Sequence, residues 1–272
     1  MMISIPGIVS QGGGISFPIP GKALNDYTWE EISLVSSAGM AADYFSVGDR
    51  KGVTLNGTVG SLTFSNETYY CEIIGINHNE SVEGTNRIHF QFGYSAVSGG
   101  VPLAFCDSGY ATQYSSDSWF NMNTSNTNSG GWASSKMRNV TCPEFKNTMP
   151  SDLKAVIKSV TKYSDNNGGV YDQKDYVTAT TDDIFLLSEF EVNGTSNFAS
   201  NYEKAYQARY ELYAKNNYKL KFKHRDSGTG VIWYFRSTQR SGDKAFCCVN
   251  ASDYVTYSNA SFSRGFVPCF CV

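Results

Sequence analysis

The residues able to do chemistry are sparse and scattered. Three histidines occur, His78, His89 and His224, with seven cysteines at Cys71, Cys106, Cys142, Cys247, Cys248, Cys269 and Cys271. A zinc site needs such ligands clustered at set spacing, and the histidines show none. Cys247, Cys248, Cys269 and Cys271 lie near one another in a strand-rich stretch. Adjacent residues of a strand point to opposite faces, however, which works against a four-thiolate site. Asp182-Asp183 and Asp165-Asn166-Asn167 offer oxygen ligands of the kind calcium takes. The same residue types commonly cap helices and turns, and no metal is expected. Glu189 and Glu191 are two apart and would share one face of a predicted strand. Nothing in the pattern sets a third group beside them, so no acid–base role follows. There is no G-x-S-x-G elbow, no Walker loop and no G-x-G-x-x-G. These residues predict neither an enzyme nor a cofactor.

The remaining chemistry is recognition. The chain of 272 residues is 41% hydrophobic, enough for a substantial core, yet only 17% charged. Its polarity comes from Ser, Thr, Asn and Gly, and it carries 18 Tyr. Tyrosine gives contact area at low entropy cost, and small polar residues adjust hydrogen bonds, as adaptable binding surfaces require. The same composition also suits a β-rich fold. Net charge is −3. The basic block KLKFKHR (219–225) alternates like an edge strand with solvated lysines, so nucleic acid is not an expected partner. No stretch reaches the ~18 apolar residues of a membrane span.

The opening MMISIPGIVSQGGGISFPIPGK has no basic start, unbroken apolar core or small-residue cleavage site, so no secretory signal is expected. The odd cysteine count then predicts reduced, mostly buried thiols. Eight Asn-x-Ser/Thr triplets are put down to an Asn- and Ser-rich composition rather than glycosylation.

The candidate ligand residues lie on the C-terminal strands and loops: Tyr234, Gln239, Arg240, Asp243, Tyr254, Tyr257 and Asn259. They alternate with residues assigned to the frame, Trp233, Arg236, Phe246, Val249, Gly265 and Pro268. The ligand set is aromatic with polar tips, or polar outright, as exposed recognition favours. The frame set is aromatic, apolar or turn-forming.

The elements expected to position them are mixed. Residues 1–25 read as an extended arm uncoupled by Gly12-Gly13-Gly14, with Ile3, Ile5, Ile8, Ile15, Phe17 and Ile19 offering a strand for assembly. A single globular domain follows over 26–272. Thr28 and Glu31 form a capping box that opens a helix ending at Gly39. Asn56-Gly57 marks a hairpin turn, and TYYCEIIGINH and RIHFQFG are strands. Residues 107–131 form a long Ser/Asn/Gly loop, and 131–138 a short helix. Pro150-Ser151 opens a helix with Leu153, Val156, Ile157 and Val160 on one face, running to the Asp165–Gly169 stop. IFLLSEFEV (184–192) reads as a buried strand. Ser200 and Glu203 predict a capping box before a helix carrying a Tyr202, Tyr206, Tyr210, Tyr213 stripe. From Gly230 onward the pattern is strand and turn. The class is α+β, β-rich, with three to four helices.

The C-terminal stretch carries a resemblance. Trp233-x-x-Arg236-Ser237, Val249-Asn250 and Gly265-Phe266-x-Pro268 match a W-x-x-R-S … V-N … G-[VF]-x-P ending. Together with IIGINHN (73–79), TNRIHFQFG (85–93), GWASSKMRN (131–139), the stretch 149–167 and IFLLSEFEV, this resembles an uncharacterised family of Gram-positive bacterial surface proteins and their phages. The likeness covers about 28–272. The ending is also similar to the C-type-lectin-like fold of formylglycine-generating enzymes and retroelement variable proteins, although Val267 stands where those have Arg. The lectin sugar motifs E-P-N, Q-P-D and W-N-D are absent, so calcium-dependent sugar binding is not implied.

The resemblance implies a C-type-lectin-like domain displayed on a phage virion, or on a bacterial surface, that binds a host-surface protein or glycan. The virion protein would fold in the host cytoplasm. The arm would dock on capsid or tail proteins, and the protein would form a homo-oligomer. Alternatives are an enzyme on the formylglycine-generating fold using Cys247 or Cys248, and a structural decoration protein with no ligand.

Overall fold

Residues 16–272 are described in a computed structural model. The strands, in chain order, are β1 (Arg50–Val59), β2 (Leu62–Ile76), β3 (Ile88–Tyr94), β4 (Leu103–Ala104), β5 (Val160–Asp165), β6 (Val177–Asp182), β7 (Lys221–Lys223), β8 (Asp226–Val231), β9 (Trp233–Thr238), β10 (Ala245–Val249), β11 (Val255–Asn259) and β12 (Cys269–Cys271). The helices are short: α1 (Trp29–Ser37), α2 (Ala41–Tyr44), α3 (Glu80–Glu83), α4 (Gly131–Ser134), α5 (Cys142–Thr148), α6 (Ser151–Val156), α7 (Glu189–Asn193) and α8 (Glu211–Asn216). The class is α+β. The expected three or four helices become eight among the described residues, the longest nine residues long.

Alternation builds the main sheet. Val53, Leu55 and Val59 of β1 and Phe64, Tyr69, Cys71 and Ile73 of β2 are buried, as expected where one face of an antiparallel pair meets a core. The order is β1-β2-β3-β12, antiparallel throughout, so the last strand of the chain closes beside β3. Two three-stranded sheets, β11-β10-β9 and β4-β7-β8, and the β5-β6 pair complete the strands. Between the sheets lies a run of aromatic contacts: Phe90 stacks on Phe270, Phe92 meets Phe145 edge-on, and Phe145 meets Phe266. Each such ring contributes roughly 1.5–3 kcal/mol through burial. One cluster of buried residues runs from Leu24 to Val272.

The capping box at Thr28 is present, with Thr28 Oγ1 accepting Glu31 N and Glu31 Oε2 accepting Thr28 N. The loop after β4 carries no α-helix or named strand until α4, as its composition predicts. It is nevertheless pinned from within: the buried Asp107 carboxylate accepts Gly109 N, Phe120 N and the Ser263 hydroxyl.

Five expectations are corrected. The chain does not turn at Asn56-Gly57. β1 runs through to Val59, the turn is Gly60-Ser61, and Gly57 sits at a register shift against β2. Gly60 has φ +53°, and a Cβ there would lie 2.3 Å from Ser118 O, so the turn needs glycine. The helix opened by Ser151 stops at Val156, and Val160–Asp165 instead pairs with β6. Only the start of IFLLSEFEV is extended, because Ser188 and Glu191 form a second capping box that opens α7. Ser200 caps no helix, and the four tyrosines are spread over a 3-10 turn at Glu203–Ala205, a connecting segment and α8. Last, β7 is no edge strand: it lies between β4 and β8, with Lys219 and Lys221 buried.

Of the expected arm, Ile3, Ile5, Ile8 and Ile15 lie outside the described residues. Phe17 packs against the core while Ile19 is exposed. Tyr27 and Tyr44 donate their hydroxyls to Ile19 O and Pro18 O, both at 2.8 Å. Leu24 is buried, and Gly52 N donates to Asn25 Oδ1. Residues 17–25 are therefore held on the domain, in place of a domain edge at 26.

Candidate functional site

Buried carboxylates organise one loop-rich face. Glu189, at the first turn of α7, accepts the backbone N–H groups of Asn197, Phe198 and Ala199, and so pins the segment after α7. Burial pushes its carboxyl above the usual range, and those three donors oppose the shift. Glu203 accepts Asp165 N at 2.9 Å and the Ser237 hydroxyl at 2.7 Å. It is fully buried, which pushes its carboxyl up to about 7. Asp165 in turn accepts Asn167 N and Gly168 N, which shapes the loop after β5.

Below this layer lies an ionic cluster. Glu191 binds Arg236 through both carboxylate oxygens and accepts Lys162 Nζ at 3.1 Å. Lys162 also reaches Glu83 at 2.6 Å and the Tyr210 hydroxyl at 2.8 Å. All five are buried. Burial alone would raise the Glu191 carboxyl, but Arg236 and Lys162 override it and hold the group well below the usual range. Breaking such a pair from one side leaves an uncompensated buried charge.

Three loops meet above these anchors. Arg240, in the β9–β10 turn, donates its N–H to Phe198 O and its guanidinium to Ser196 O, Ala199 O and Asn201 Oδ1. Asn201 Nδ2 donates to Asp172 Oδ2 at 2.7 Å, joining the loop after β5. The buried Asn128 closes the triangle: its Nδ2 donates to Gly242 O and Ala245 O, and its Oδ1 accepts Gly169 N. On β11, Tyr257 sits edge-on to Phe198 with centroids 5.3 Å apart. Tyr171 and Tyr202, the chain neighbours of Asp172 and Asn201, are exposed at 68% and 41%, and Tyr257 at 46%. The result is a surface of large rings and short polar groups on braced backbone.

The predicted ligand residues divide. Tyr257, Arg240 and Asp243 belong to this face, with Asp243 O accepting Asn128 N. Gln239 is half-buried beside them. Tyr254 is exposed at the β10–β11 turn. Tyr234 is corrected: it is fully buried, and its hydroxyl donates to Asn259 O and Phe262 O, so it belongs to the frame. Asn259 contributes that carbonyl and is half-buried. The expected frame residues Trp233, Arg236, Phe246, Val249, Gly265 and Pro268 are all buried. Asn128, Tyr171, Asp172, Phe198, Asn201 and Tyr202 were not among the predicted site residues. The side-chain hydrogen bonds of Asn128, Asp172 and Asn201 span 28 to 117 residues of chain, so no local motif marks them.

All seven cysteines are buried and unpaired with one another. Cys247 and Cys248 are β10 neighbours. Glu189 and Glu191 are helical, not strand partners. Asp182 accepts Trp132 Nε1, Arg138 Nε and the Thr180 hydroxyl. Asp183 accepts Lys146 Nζ and the Ser159 hydroxyl. Among the described residues no three His, Cys, Asp or Glu side chains converge as metal ligands. No described helix is long and apolar enough to cross a membrane.

No curated protein and no solved structure is significantly similar to the chain. A family is matched over residues 112–272, the stretch holding every residue of this face, and the chain belongs to that family, described as a domain of unknown function (DUF6273).

Proposed function

We propose that the chain is a binding module, carried on a phage virion or a bacterial surface, whose braced tyrosine face takes a host-surface protein or glycan. The framework is C-type-lectin-like in this reading. What supports it is the return of β12 to β3 and the long pinned loop between β4 and α4. The observation that carries the binding role is the three-loop junction at Arg240, Asn128 and Asp172, with Tyr171, Tyr202 and Tyr257 exposed around it. Rings held on fixed backbone lose little entropy on binding, which is how such side chains yield affinity. Catalysis by Cys247 or Cys248 gains no support, since both thiols are wholly buried and burial pushes that of Cys248 up to about 12.

The test is the triple variant Tyr171→Ala, Tyr202→Ala, Tyr257→Ala, assayed for binding to host cells and to purified cell-wall glycan beside a melting curve. Binding should fall by about tenfold or more, as loss of aromatic anchors does, with melting nearly unchanged. Unchanged binding, or binding lost only together with the fold, defeats the assignment. Partner proteins of the virion would be sought through residues 1–15 by co-purification.

A further inference from the structure

A second feature lies away from that face. Among residues of β2, β3, β7 and α8, a small cavity of about 40 Å³ is lined by Glu72, Tyr94, Tyr213, Tyr218 and Lys221, among others. That is space for about three water molecules. Lys221 is 5% exposed. Its Nζ has one hydrogen-bond acceptor among the described residues, Gln91 Oε1 at 3.2 Å. The same oxygen already accepts the Tyr213 hydroxyl at 2.6 Å. The Tyr94 and Trp233 ring centroids lie 5.9 Å from Nζ, but an ammonium carries three donors for this one shared oxygen, whereas a neutral amine carries two and has a lone pair free.

We propose that this cavity binds a short aliphatic aldehyde and that Lys221 captures it as an imine.

The chemistry balances without a further reactant. The neutral Lys221 amine adds its lone pair to the carbonyl carbon and forms a carbinolamine. One N–H proton passes to the former carbonyl oxygen as the carbinolamine forms. The hydroxyl then takes a proton from Glu72 and leaves as water, and the nitrogen lone pair forms the C=N bond. The one remaining N–H proton returns to the Glu72 carboxylate to leave the neutral imine. Glu72 lines the same cavity and is the acid placed to pass a proton to the departing hydroxyl. Burial raises its carboxyl, while Lys221 and Arg50 oppose the shift.

The charged and titratable groups around the amine come from every packed element. Arg50 of β1 binds Glu72 Oε1 at 3.0 Å and lies over the Tyr94 ring. Glu72 comes from β2 and Tyr94 from β3, Tyr213 from α8, Tyr218 from the segment after it, and Cys269 from β12. Burial pulls the Lys221 amine down to about 8, with Glu72 and Cys269 acting the other way and Arg50 reinforcing the fall. At pH 7 roughly 10% of such a lysine is neutral, against well under 0.1% of an ordinary one.

The experiment treats the full native chain at pH 7 with acetaldehyde and cyanoborohydride, which traps an imine by adding hydride. Site-by-site mass mapping then compares Lys221 with the exposed Lys174, Lys204 and Lys215. Lys221 should be alkylated at least tenfold faster than those three, and the preference should vanish in urea. Alkylation of Lys221 no faster than the exposed lysines overturns the proposal. Tyr218→Trp, at the half-exposed rim of the cavity, should slow Lys221 several-fold and leave the exposed lysines alone. If it does not, the amine is reached by local opening, and the cavity is not the binding site.

Discussion

At the scale of single residues, the molecule concentrates charge where water is absent. Arg236 was legible in the sequence as a frame residue, because it follows Trp233 in a strand pattern. Its partner was not: Glu191 looked like one of two carboxylates on a strand face, and only α7 turns it inward to both Arg236 and Lys162. Glu203 offered still less of a signal, since its partners Asp165 and Ser237 are 38 and 34 residues away. It is the sharpest pH probe in the fold. Its carboxyl lies near 7 when folded, against an ordinary 4.5. A raised folded value means that the stabilisation is complete below the unfolded value and is lost as pH rises through the folded one. Between pH 5 and 8 the native chain should therefore lose roughly 2–3 kcal/mol through this group. Glu203→Gln stays neutral, keeps an oxygen for Asp165 N, and lets the Ser237 hydroxyl turn to accept. Urea unfolding at pH 5, 6, 7 and 8 should show the variant's curve flatter by that amount. Parallel curves for the two proteins would mean that Glu203 titrates normally.

At the scale of elements, local rules succeeded where local chemistry decides and failed where pairing decides. The Thr28–Glu31 box and the β2 and β3 strands were legible because each is written in adjacent residues. The Ser188–Glu191 box is written just as plainly, but the apolar run Ile184–Leu187 before it imitates a strand start and hid the helix. Leu153, Val156, Ile157 and Val160 fit helical spacing, yet Val160–Asp165 is claimed by six residue pairs with β6, and tertiary pairing overrides so weak a preference. Asn56-Gly57 has the residue types of a tight turn but lies across from a bulge: Ser65 and Asn66 of β2 stand opposite Asn56 alone, with Asn66 at φ +55° and Gly57 at φ +126°. The two caps should differ in weight. Thr28 is exposed and bonds only its own helix start, whereas Ser188 is buried and its hydroxyl also donates to Gln207 Oε1 at 2.7 Å. Thr28→Ala should cost about 1 kcal/mol, an ordinary cap loss. Ser188→Ala should cost roughly 2–3 kcal/mol, because it also strands a buried acceptor. Chemical denaturation of the two variants decides this, and an equal or reversed order would mean that the buried Ser188–Gln207 bond adds nothing to the cap.

At the scale of the whole molecule, the family match and the fold have different edges. The match begins at residue 112, inside the long loop, and takes in the tyrosine face, its carboxylate anchors and β12. Yet β12 has its sheet partner outside the match: Cys269–Cys271 pairs with His89–Gln91 of β3, and β1 and β2 extend that sheet. Phe105, bridged to Phe266, also lies before the match, as do Phe64, Phe90 and Phe92 of the aromatic core. Even the buried ionic cluster draws Glu83 from the earlier half. A chain of 112–272 alone would expose Phe145, Phe266 and Phe270 on one side and leave Lys162 short of a carboxylate. Each exposed ring forfeits roughly 1.5–3 kcal/mol, and together they exceed a margin that for whole domains is only about 5–15 kcal/mol once the unpaired strand and lost charge partner are added. The fragment 112–272 should therefore lack a cooperative thermal transition and a native near-ultraviolet signal, while the chain 16–272 shows both. Adding the separate fragment 16–111 should restore the signal, since the missing strands arrive with it. A fragment that melts cooperatively on its own, within a few degrees of the longer chain, would show that the matched region carries a sufficient core without the β1–β3 sheet.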